Sequence, residues 1–153
     1  MNNDTKAFAL VLDGFFKEYK EASLPDQSGI YFVFGGNSLS NGKCRINHLI
    51  YIGESKDVQY RLMHHEKKPE FKDALEEGEI LYYAYTFVPS CERELCEKGL
   101  IKHFSNKFGK DIINDLSTKS FDTNYATLSY TLSGDVPRIF GESDRNFLVE
   151  PKD

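Results

Sequence analysis

The amino-acid sequence predicts an α/β fold in which a small central antiparallel sheet is flanked by helices. Three segments are rich in β-branched and aromatic residues: Ile30 to Phe34, Ile46 to Ile52 and Ile80 to Val88. A loop dense in glycine, asparagine and serine joins the first two, which is typical of a hairpin. Between and after these segments, apolar residues recur at helical spacing. The 153 residues suffice for one domain with one core.

Helices are predicted before, between and after the three strands. Residues 7 to 21 carry apolar side chains at helical spacing, so we expect an N-terminal amphipathic helix in an extension of residues 1 to 27. Asp57 can cap a helix after the second strand, and Pro69 fits the first turn of a helix over residues 70 to 77. Ser90 can cap a long helix that follows the third strand.

The pattern weakens after Asp111. Residues 125 to 132 alternate between apolar and polar in the way of a further strand. Residues 134 to 153 are expected to be a loosely attached tail. We therefore expect a core over residues 28 to 115 and a C-terminal extension over residues 116 to 153, within a single domain.

Charge and cysteine content limit the classes of function. The formal net charge of -5 argues mildly against binding of a polyanion over the whole surface. Residues 43 to 72, however, carry seven Lys or Arg and four acidic residues, which indicates a local basic face. The three cysteines lack CxxC spacing and no segment approaches the roughly 20 apolar residues of a membrane span. We expect a cytoplasmic protein with reduced cysteines and no membrane partner.

Polar residues suited to phosphate chemistry follow the second strand. Tyr51 lies near the strand end, and Arg61 and His65 are four residues apart, so they share one face of the next helix. A phenol, a guanidinium and an imidazole are therefore expected to converge. His64 lies about 100° further around that helix and is expected on the surface.

The tripeptides Gly29-Ile30-Tyr31 and Tyr51-Ile52-Gly53 resemble the two sequence marks of the GIY-YIG nuclease family. Three further residues match the family pattern. Arg61 lies ten residues after Tyr51, His65 follows four residues later, and Glu97 begins an E-x-x-x-I-K pattern on the predicted long helix. The resemblance covers about residues 28 to 115, and it implies a GIY-YIG-like arrangement of the three-stranded sheet and its helices.

The resemblance implies a metal-dependent DNA endonuclease. Glu97 would bind Mg²⁺ or Mn²⁺, because a carboxylate is the oxygen ligand that Mg²⁺ prefers. Arg61 would bind the scissile phosphate. Tyr31, acidified by nearby cations such as Lys56, would take the proton from water, with hydrogen bonds from Tyr51 and His65 to the phosphate or the water. Six residues are therefore expected in catalysis: Tyr31, Tyr51, Lys56, Arg61, His65 and Glu97.

The chain departs from the family pattern at several positions. Nineteen residues separate Tyr31 from Tyr51, so the hairpin loop is extended, and Glu54 stands where some members carry a lysine. The family's asparagine is matched by either Asn114 or Asn106. Five residues are expected to contact nucleic acid: Lys43, Arg45, Lys67, Lys68 and Asn114.

Several alternatives remain open from the sequence. Taken singly, Tyr31 and Tyr51 are better explained as ordinary sheet aromatics, and only the joint match of residue order and spacing favours a catalytic site. Glu92 and Glu94 compete with Glu97 for a metal ion, and Glu94 lies near the same helix face. A non-cleaving nucleic-acid-binding or protein-interaction module would keep the same fold. The sequence does not distinguish double-stranded from single-stranded DNA, and cutting both strands would need a homodimer or two successive nicks.

Overall fold

A computed structural model describes residues 4–109, 111–114 and 123–151, and within them six strands form one mixed sheet. The strands are β1 (Thr5–Lys17), β2 (Gly29–Ser38), β3 (Cys44–Ser55), β4 (Ile80–Phe87), β5 (Thr127–Gly134) and β6 (Asn146–Val149). The α-helices are α1 (Val58–Met63), α2 (Lys68–Asp73) and α3 (Arg93–Phe108). Short 3₁₀ helices span Glu18–Ser23, Ser40–Gly42 and Glu142–Asp144. The strand order is β3-β2-β4-β1-β5-β6.

The expectation of a small three-stranded sheet flanked by helices is wrong. The three expected strands are present as neighbours, in the order β3-β2-β4, but they form only half of the sheet. β1 extends it by antiparallel pairing with β4, and β5 then pairs with β1 in parallel. Long-range pairing between the two ends of the chain, such as Thr5 with Thr127, completes a sheet that local patterns do not report.

The expected N-terminal helix is β1 followed by a 3₁₀ turn. Phe8, Leu10 and Leu12 are buried and alternate with exposed residues, which is the period of a strand. Val11 and Tyr19 helped to complete the helical pattern, yet they are 65% and 73% exposed. The helical extension expected over residues 1 to 27 is therefore wrong: Thr5–Lys17 is a strand of the sheet, and the short 3₁₀ helix Glu18–Ser23 follows it.

The expected loose tail is wrong as well, for the part that the structure describes. β6 pairs with β5 in antiparallel register, and Phe140, Phe147 and Val149 are buried in the main core. Asp144 is buried and accepts hydrogen bonds from His103 and Lys107 of α3. The segment from residue 134 to 151 is thereby held against α3. Residues 115–122 of the expected core end and C-terminal extension lie outside the described residues.

The two faces of the sheet are covered to different extents. On one face, side chains from β1, β2, β4 and β5 pack with Cys96, Leu100 and Phe104 of α3 in the larger core cluster. On the other face, a second cluster joins β2, β3 and β4 to α1 and α2 through Leu62 and Phe71. The strands β3, β2 and β4 are thus covered on both faces.

Three helix predictions can be compared with the structure. The Asp57 carboxylate accepts a hydrogen bond from the backbone N–H of Tyr60 at 3.0 Å, so the predicted cap of α1 is confirmed. The long helix begins at Arg93, after Glu92, and Ser90 is not its cap. The helix expected over residues 70 to 77 is shorter and begins earlier, at Lys68. In the described ranges, no helix has the length and apolar character needed to cross a membrane.

Candidate active site

A buried hydrogen bond joins Tyr31 of β2 to His65, two residues after α1. The Tyr31 Oη and His65 Nε2 atoms are 2.8 Å apart, and Tyr31 is only 1% exposed. The other ring nitrogen of His65, Nδ1, accepts a hydrogen bond from the backbone N–H of Lys67 at 3.1 Å. A neutral imidazole has one donor and one acceptor nitrogen, so Nε2 carries the proton and donates to the Tyr31 oxygen.

The electrostatic surroundings keep His65 neutral. Burial lowers the pKa of His65 to about 4, and the positive charge of Arg61 acts in the same direction. Both ring nitrogens are already used in hydrogen bonds. His65 is therefore a donor that orients Tyr31, and its geometry does not suit a proton acceptor.

Two glycines let Tyr31 reach this position. Tyr31 stands opposite Gly53 across the β2–β3 ladder, and a Cβ atom on Gly53 would lie 2.2 Å from the Tyr31 hydroxyl oxygen. Gly29, at the start of β2, lies so close to β4 that a Cβ atom there would be 2.2 Å from the carbonyl oxygen of Thr86. Larger residues at either position would displace the phenol or the strand. These contacts give a physical reason for glycine in both tripeptides.

Tyr51 of β3 completes an aromatic cluster around the Tyr31–His65 bond. Its ring centroid lies 6.2 Å from that of Tyr31, 5.4 Å from that of His65 and 5.1 Å from that of Phe71. Burial raises the pKa of both tyrosines, and the negative charge of Glu97 acts in the same direction on each. Arg61 acts in the opposite direction, but burial outweighs it. Without a bound cation, both phenols therefore stay protonated at neutral pH.

Arg61 of α1 lies at the solvent side of this cluster and is paired with Glu66. Its Nη2 atom donates to Glu66 Oε1 at 2.9 Å, and its Nη1 atom donates to Glu66 Oε2. Glu66 is 65% exposed in its side chain, and Arg61 holds the pKa of its carboxyl at about 2. The Arg61 guanidinium thus makes two parallel hydrogen bonds, a geometry that also suits a phosphate. Here the acceptor is the Glu66 carboxylate.

Glu97 of α3 is partly buried, and its charge acts on both Tyr31 and Tyr51. Burial raises the pKa of the Glu97 carboxyl to about 7, and the negative charge of Glu54 adds to this. Glu94 is exposed, so it does not share this position. Of the two candidates on this helix face, Glu97 is the carboxylate next to the tyrosines.

Sequence reasoning missed the partners that hold these groups. Glu54, noted only as a departure from the family pattern, accepts a hydrogen bond from Arg93 Nε. Arg93 also donates to the Ser28 hydroxyl through Nη1 at 3.0 Å, which ties β2, β3 and the start of α3 together. Arg93 lies four residues before Glu97, one helical turn away, and this spacing is the signal that indicates a shared face.

Two carboxylates that act on each other electrostatically, those of Glu97 and Glu54, are the oxygen donors at this position, and Glu54 already accepts a hydrogen bond from Arg93. Among residues 4–109, 111–114 and 123–151, no group of three or more His, Cys, Asp or Glu side chains is arranged to hold a metal ion. Mg²⁺ commonly takes only one or two carboxylates from a protein and completes its shell with water and substrate phosphate. Glu97, with Glu54 beside it, can supply such a set.

Asn114 is a structural contact of β3. Its Oδ1 atom accepts a hydrogen bond from the Ile52 N–H at 2.9 Å, and its Nδ2 atom donates to the Ile52 carbonyl at 2.8 Å. The backbone N–H of Ile113 also donates to Ile50, so residues 113–114 cover the outer edge of β3. The Asn114 amide is thus committed to the backbone beside Tyr51. Asn106, the other candidate for the family position, is exposed on α3.

The basic residues expected to contact nucleic acid differ in their surroundings. Lys43 and Arg45 are exposed at the hairpin end, and Arg45 pairs with Asn37, six residues along β2 from Tyr31. At about 3.3 Å per residue, that separation is roughly 20 Å. These two residues therefore lie far from the tyrosine cluster. Lys56, the lysine expected to acidify Tyr31, is exposed just before α1.

Lys67 and Lys68 have different roles although they are adjacent. Lys68 Nζ lies 2.8 Å and 2.9 Å from the two carboxylate oxygens of Glu21, which also accepts from the Tyr83 hydroxyl. This partly buried pair ties α2 to the 3₁₀ turn after β1. Lys67 is more exposed, and its nearest carboxylate, that of Glu70, is 4.0 Å away. Only Lys67 of the two is arranged for a contact with a polyanion.

We compared the chain with known proteins in three ways. No family model matches it, no curated protein matches it, and no solved structure matches it. The interpretation of the site therefore depends on the residues and geometry described above.

Proposed function

We propose that this protein is a metal-dependent DNA endonuclease that hydrolyses phosphodiester bonds with a GIY-YIG-type single-metal site. The observation that supports the proposal most is the buried Tyr31–His65 hydrogen bond, around which Tyr51, Arg61 and Glu97 gather. Polar groups enclosed in this way cost folding free energy unless they are paired, and they are concentrated at functional sites. If Tyr31 and Tyr51 were ordinary sheet aromatics, this would not explain the buried His65 imidazole. It would also not explain the opposite charges of Arg61 and Glu97 that act on the two phenols.

The residues have distinct roles in the proposed reaction. His65 donates its Nε2 proton to the Tyr31 oxygen, so the Tyr31 hydroxyl proton is directed away from His65, towards the substrate side. The same donation stabilises a phenolate when the phenol loses its proton, which is the form that accepts a proton from water. Arg61 binds the scissile phosphate in place of Glu66. Tyr51 hydrogen-bonds the phosphate or the water.

Glu97 is the proposed ligand of Mg²⁺ or Mn²⁺, and Glu54 is the neighbouring carboxylate. When bound, the metal ion would neutralise charge on the phosphate and help the departing oxygen. The negative charge of Glu97 raises the pKa of both tyrosines in the metal-free protein. A cation bound to Glu97 would neutralise that charge and so favour ionisation of Tyr31. Lys56 is less suited to this role, because its side chain is exposed at the surface.

The test is incubation of purified protein with supercoiled, linear and single-stranded DNA, with and without Mg²⁺. We expect cleavage that needs the divalent ion and is absent in Glu97→Gln, whereas Glu94→Gln stays active because Glu94 is exposed. Absence of cleavage by the wild type under every condition would reject the proposal. Cleavage without any divalent ion would reject the metal-dependent mechanism.

A non-cleaving nucleic-acid-binding or protein-interaction module is the second candidate. Two observations favour it: Arg61 is already paired with Glu66, and the overall charge is -5. The same assay separates the two candidates, since a binding module retains DNA without cutting it.

We also propose a cytoplasmic location, for which the three free cysteines are the support, and a homodimer if both strands are cut at once.

A further inference from the structure

Tyr60 and His64 form an exposed aromatic pair at the surface of α1. Their ring centroids are 4.4 Å apart, with ring planes inclined by 40°. Tyr60 is 63% exposed, and His64 is exposed at the end of the helix. Each ring covers part of the other, so the outer face of Tyr60 is open to solvent. A planar aromatic ligand can therefore extend this stack.

The aromatic pair lies on the side of α1 that carries Arg61. Successive side chains are about 100° apart on a helix, so Arg61 comes first around α1 from buried Leu62, followed by His64 and then Tyr60. Gln59 marks the opposite side, because it donates hydrogen bonds to the carbonyl oxygens of Ala22 and Leu24. The His64 ring thus lies between the Arg61 guanidinium and the Tyr60 ring on this side of the helix.

The charges around the pair suit a nucleic acid strand. Lys56 is exposed just before α1, Arg61 lies beside the aromatic pair in its ion pair with Glu66, and Lys67 follows at the other end, 4.0 Å from the Glu70 carboxylate. Cations that track the backbone and aromatic rings that stack on bases are the two features of single-strand binding surfaces. In a regular duplex both faces of each base are already stacked on neighbours, so only an unpaired base has a free face for Tyr60.

We propose that the Tyr60–His64 pair is a stacking platform for an unpaired base next to the scissile phosphate, so that the substrate class is DNA with a single-stranded segment. This inference rests on the proposed endonuclease function, which it makes more specific. It assigns to α1 two tasks on adjacent faces: Arg61 binds a phosphate and Tyr60 stacks on a base.

The test measures binding without divalent ions, so it does not depend on cleavage. The probes are a fluorescein-labelled oligothymidine of about 12 nucleotides and a blunt-ended duplex of about 12 base pairs, each followed by anisotropy. We expect Tyr60→Ala to weaken oligothymidine binding by about 5- to 150-fold, which is the range for one lost base stack. Tyr60→Phe keeps the ring and should stay within about twofold of wild type.

Tyr19→Ala is the matched control, because Tyr19 is 73% exposed and lies on the 3₁₀ turn after β1. It should bind both probes as wild type does, and Tyr60→Ala should bind the duplex as wild type does. An unchanged affinity of Tyr60→Ala for oligothymidine overturns the inference, as does an equal loss on the duplex. Wild-type binding by Tyr60→Leu also overturns it, because an apolar contact with another partner would then explain the exposed ring. Failure of the wild type to cut DNA would reject the endonuclease function without altering these binding results.

Discussion

The two halves of the sheet differ in how they are covered. β3, β2 and β4 have packed side chains on both faces, and this half carries Tyr31 and Tyr51. β1, β5 and β6 pack against the core on one face, while Ala7, Val11 and Leu148 on the other face are exposed. Strong pKa shifts and buried hydrogen bonds need a site from which water is excluded. The candidate site accordingly lies in the half that is enclosed on both sides.

The half of the sheet that is covered on one face, β1, β5 and β6, contacts α3, the helix that carries Glu97. The Tyr130 hydroxyl of β5 donates a hydrogen bond to the Cys96 carbonyl at 2.8 Å. The same ring lies so close to α3 that a Cβ atom on Gly99 would be 2.0 Å from its hydroxyl oxygen. Cys96 and Gly99 flank Glu97 in the helix. Tyr130 of β5 therefore packs against the turn of α3 that carries Glu97.

The largest expected effect follows from Glu97→Gln in the enclosed half. This change removes the anionic ligand with little change in volume, so we expect loss of metal-dependent cleavage by roughly a thousandfold or more. Glu94→Gln is the control on the same helix and should keep wild-type activity. The measurement is single-turnover cleavage in saturating Mg²⁺. Loss of activity in Glu94→Gln instead would mean that the metal ligand lies on the solvent face.

Tyr31→Phe should reduce the single-turnover rate by about a hundredfold or more, because it deletes the oxygen that exchanges a proton and keeps the ring in the core. His65→Phe is the companion variant, since it removes the donor to that oxygen. If His65 only orients Tyr31, its loss should lower the rate and raise the pH at which the rate levels off. A Tyr31→Phe protein with the wild-type pH profile would contradict the tyrosine mechanism.

Gly99→Ala tests the coupling between the halves. The added methyl group overlaps with the Tyr130 hydroxyl, so we expect a loss of about 1 to 3 kcal/mol in the free energy of unfolding. The displacement of α3 should also lower cleavage, by about tenfold. The double variant Gly99→Ala with Tyr130→Phe relieves part of the overlap and should recover part of both losses. Wild-type activity in a destabilised Gly99→Ala protein would mean that the halves are independent.

Stability of the metal-free protein should fall as the pH rises through the range in which Glu97 ionises. Burial raises the pKa of Glu97 to about 7 in the folded state, from 4.5 in the unfolded chain. Between these values the folded state binds more protons than the unfolded one, so the free energy of unfolding decreases with pH, by about 3 kcal/mol at most. His65, whose pKa is lowered to about 4, acts in the opposite direction, because below about pH 6.5 the unfolded chain binds the additional proton. The effect of Glu97 is therefore the difference between wild type and Glu97→Gln in melting temperatures measured in EDTA at pH 5 and pH 8. Relative to wild type, Glu97→Gln should gain stability between the two pH values.

The enclosed half could be predicted from the sequence better than the other half. Its strands are apolar on both faces, as in residues 80 to 88, and Gly29 and Gly53 mark close approaches of backbone to side chain. The prediction of a helix in place of β1 is wrong because the sequence fits both periods. Val11 and Tyr19, which are exposed, complete a helical pattern, whereas buried Phe8 and Leu10 fit the alternation of a strand. Local periodicity cannot report the pairing of Thr5 with Thr127 that decides between them.

The candidate site also has a part that could be predicted from the sequence and a part that could not. Tyr51, His65 and Arg61 could be predicted to converge, because a strand end and a helix face bring them together. Their ion-pair partners could not, because these depend on how long side chains turn in the folded protein. Glu66 is next to His65 in the sequence, yet its pairing with Arg61 is visible only in three dimensions. Glu54 and Arg93 likewise meet across 39 residues.

The smallest expected effect, and the only gain, concerns Glu66 at the solvent boundary of the enclosed half. Its carboxylate occupies the Arg61 guanidinium, so a phosphate must displace it before binding. Glu66→Gln keeps the size of the side chain and removes the competing charge. Because an exposed ion pair contributes little to stability, DNA affinity should rise by only a few-fold, with little change in melting temperature. Binding isotherms at two salt concentrations measure the gain, which should shrink at high salt because screening already weakens the pair. Glu70→Gln is the control, since the Glu70 carboxylate is 4.0 Å from Lys67 and makes no such contact with Arg61. Equal gains in both variants would mean that only net charge matters, and weaker binding by Glu66→Gln would mean that Glu66 holds Arg61 in the geometry that the phosphate requires.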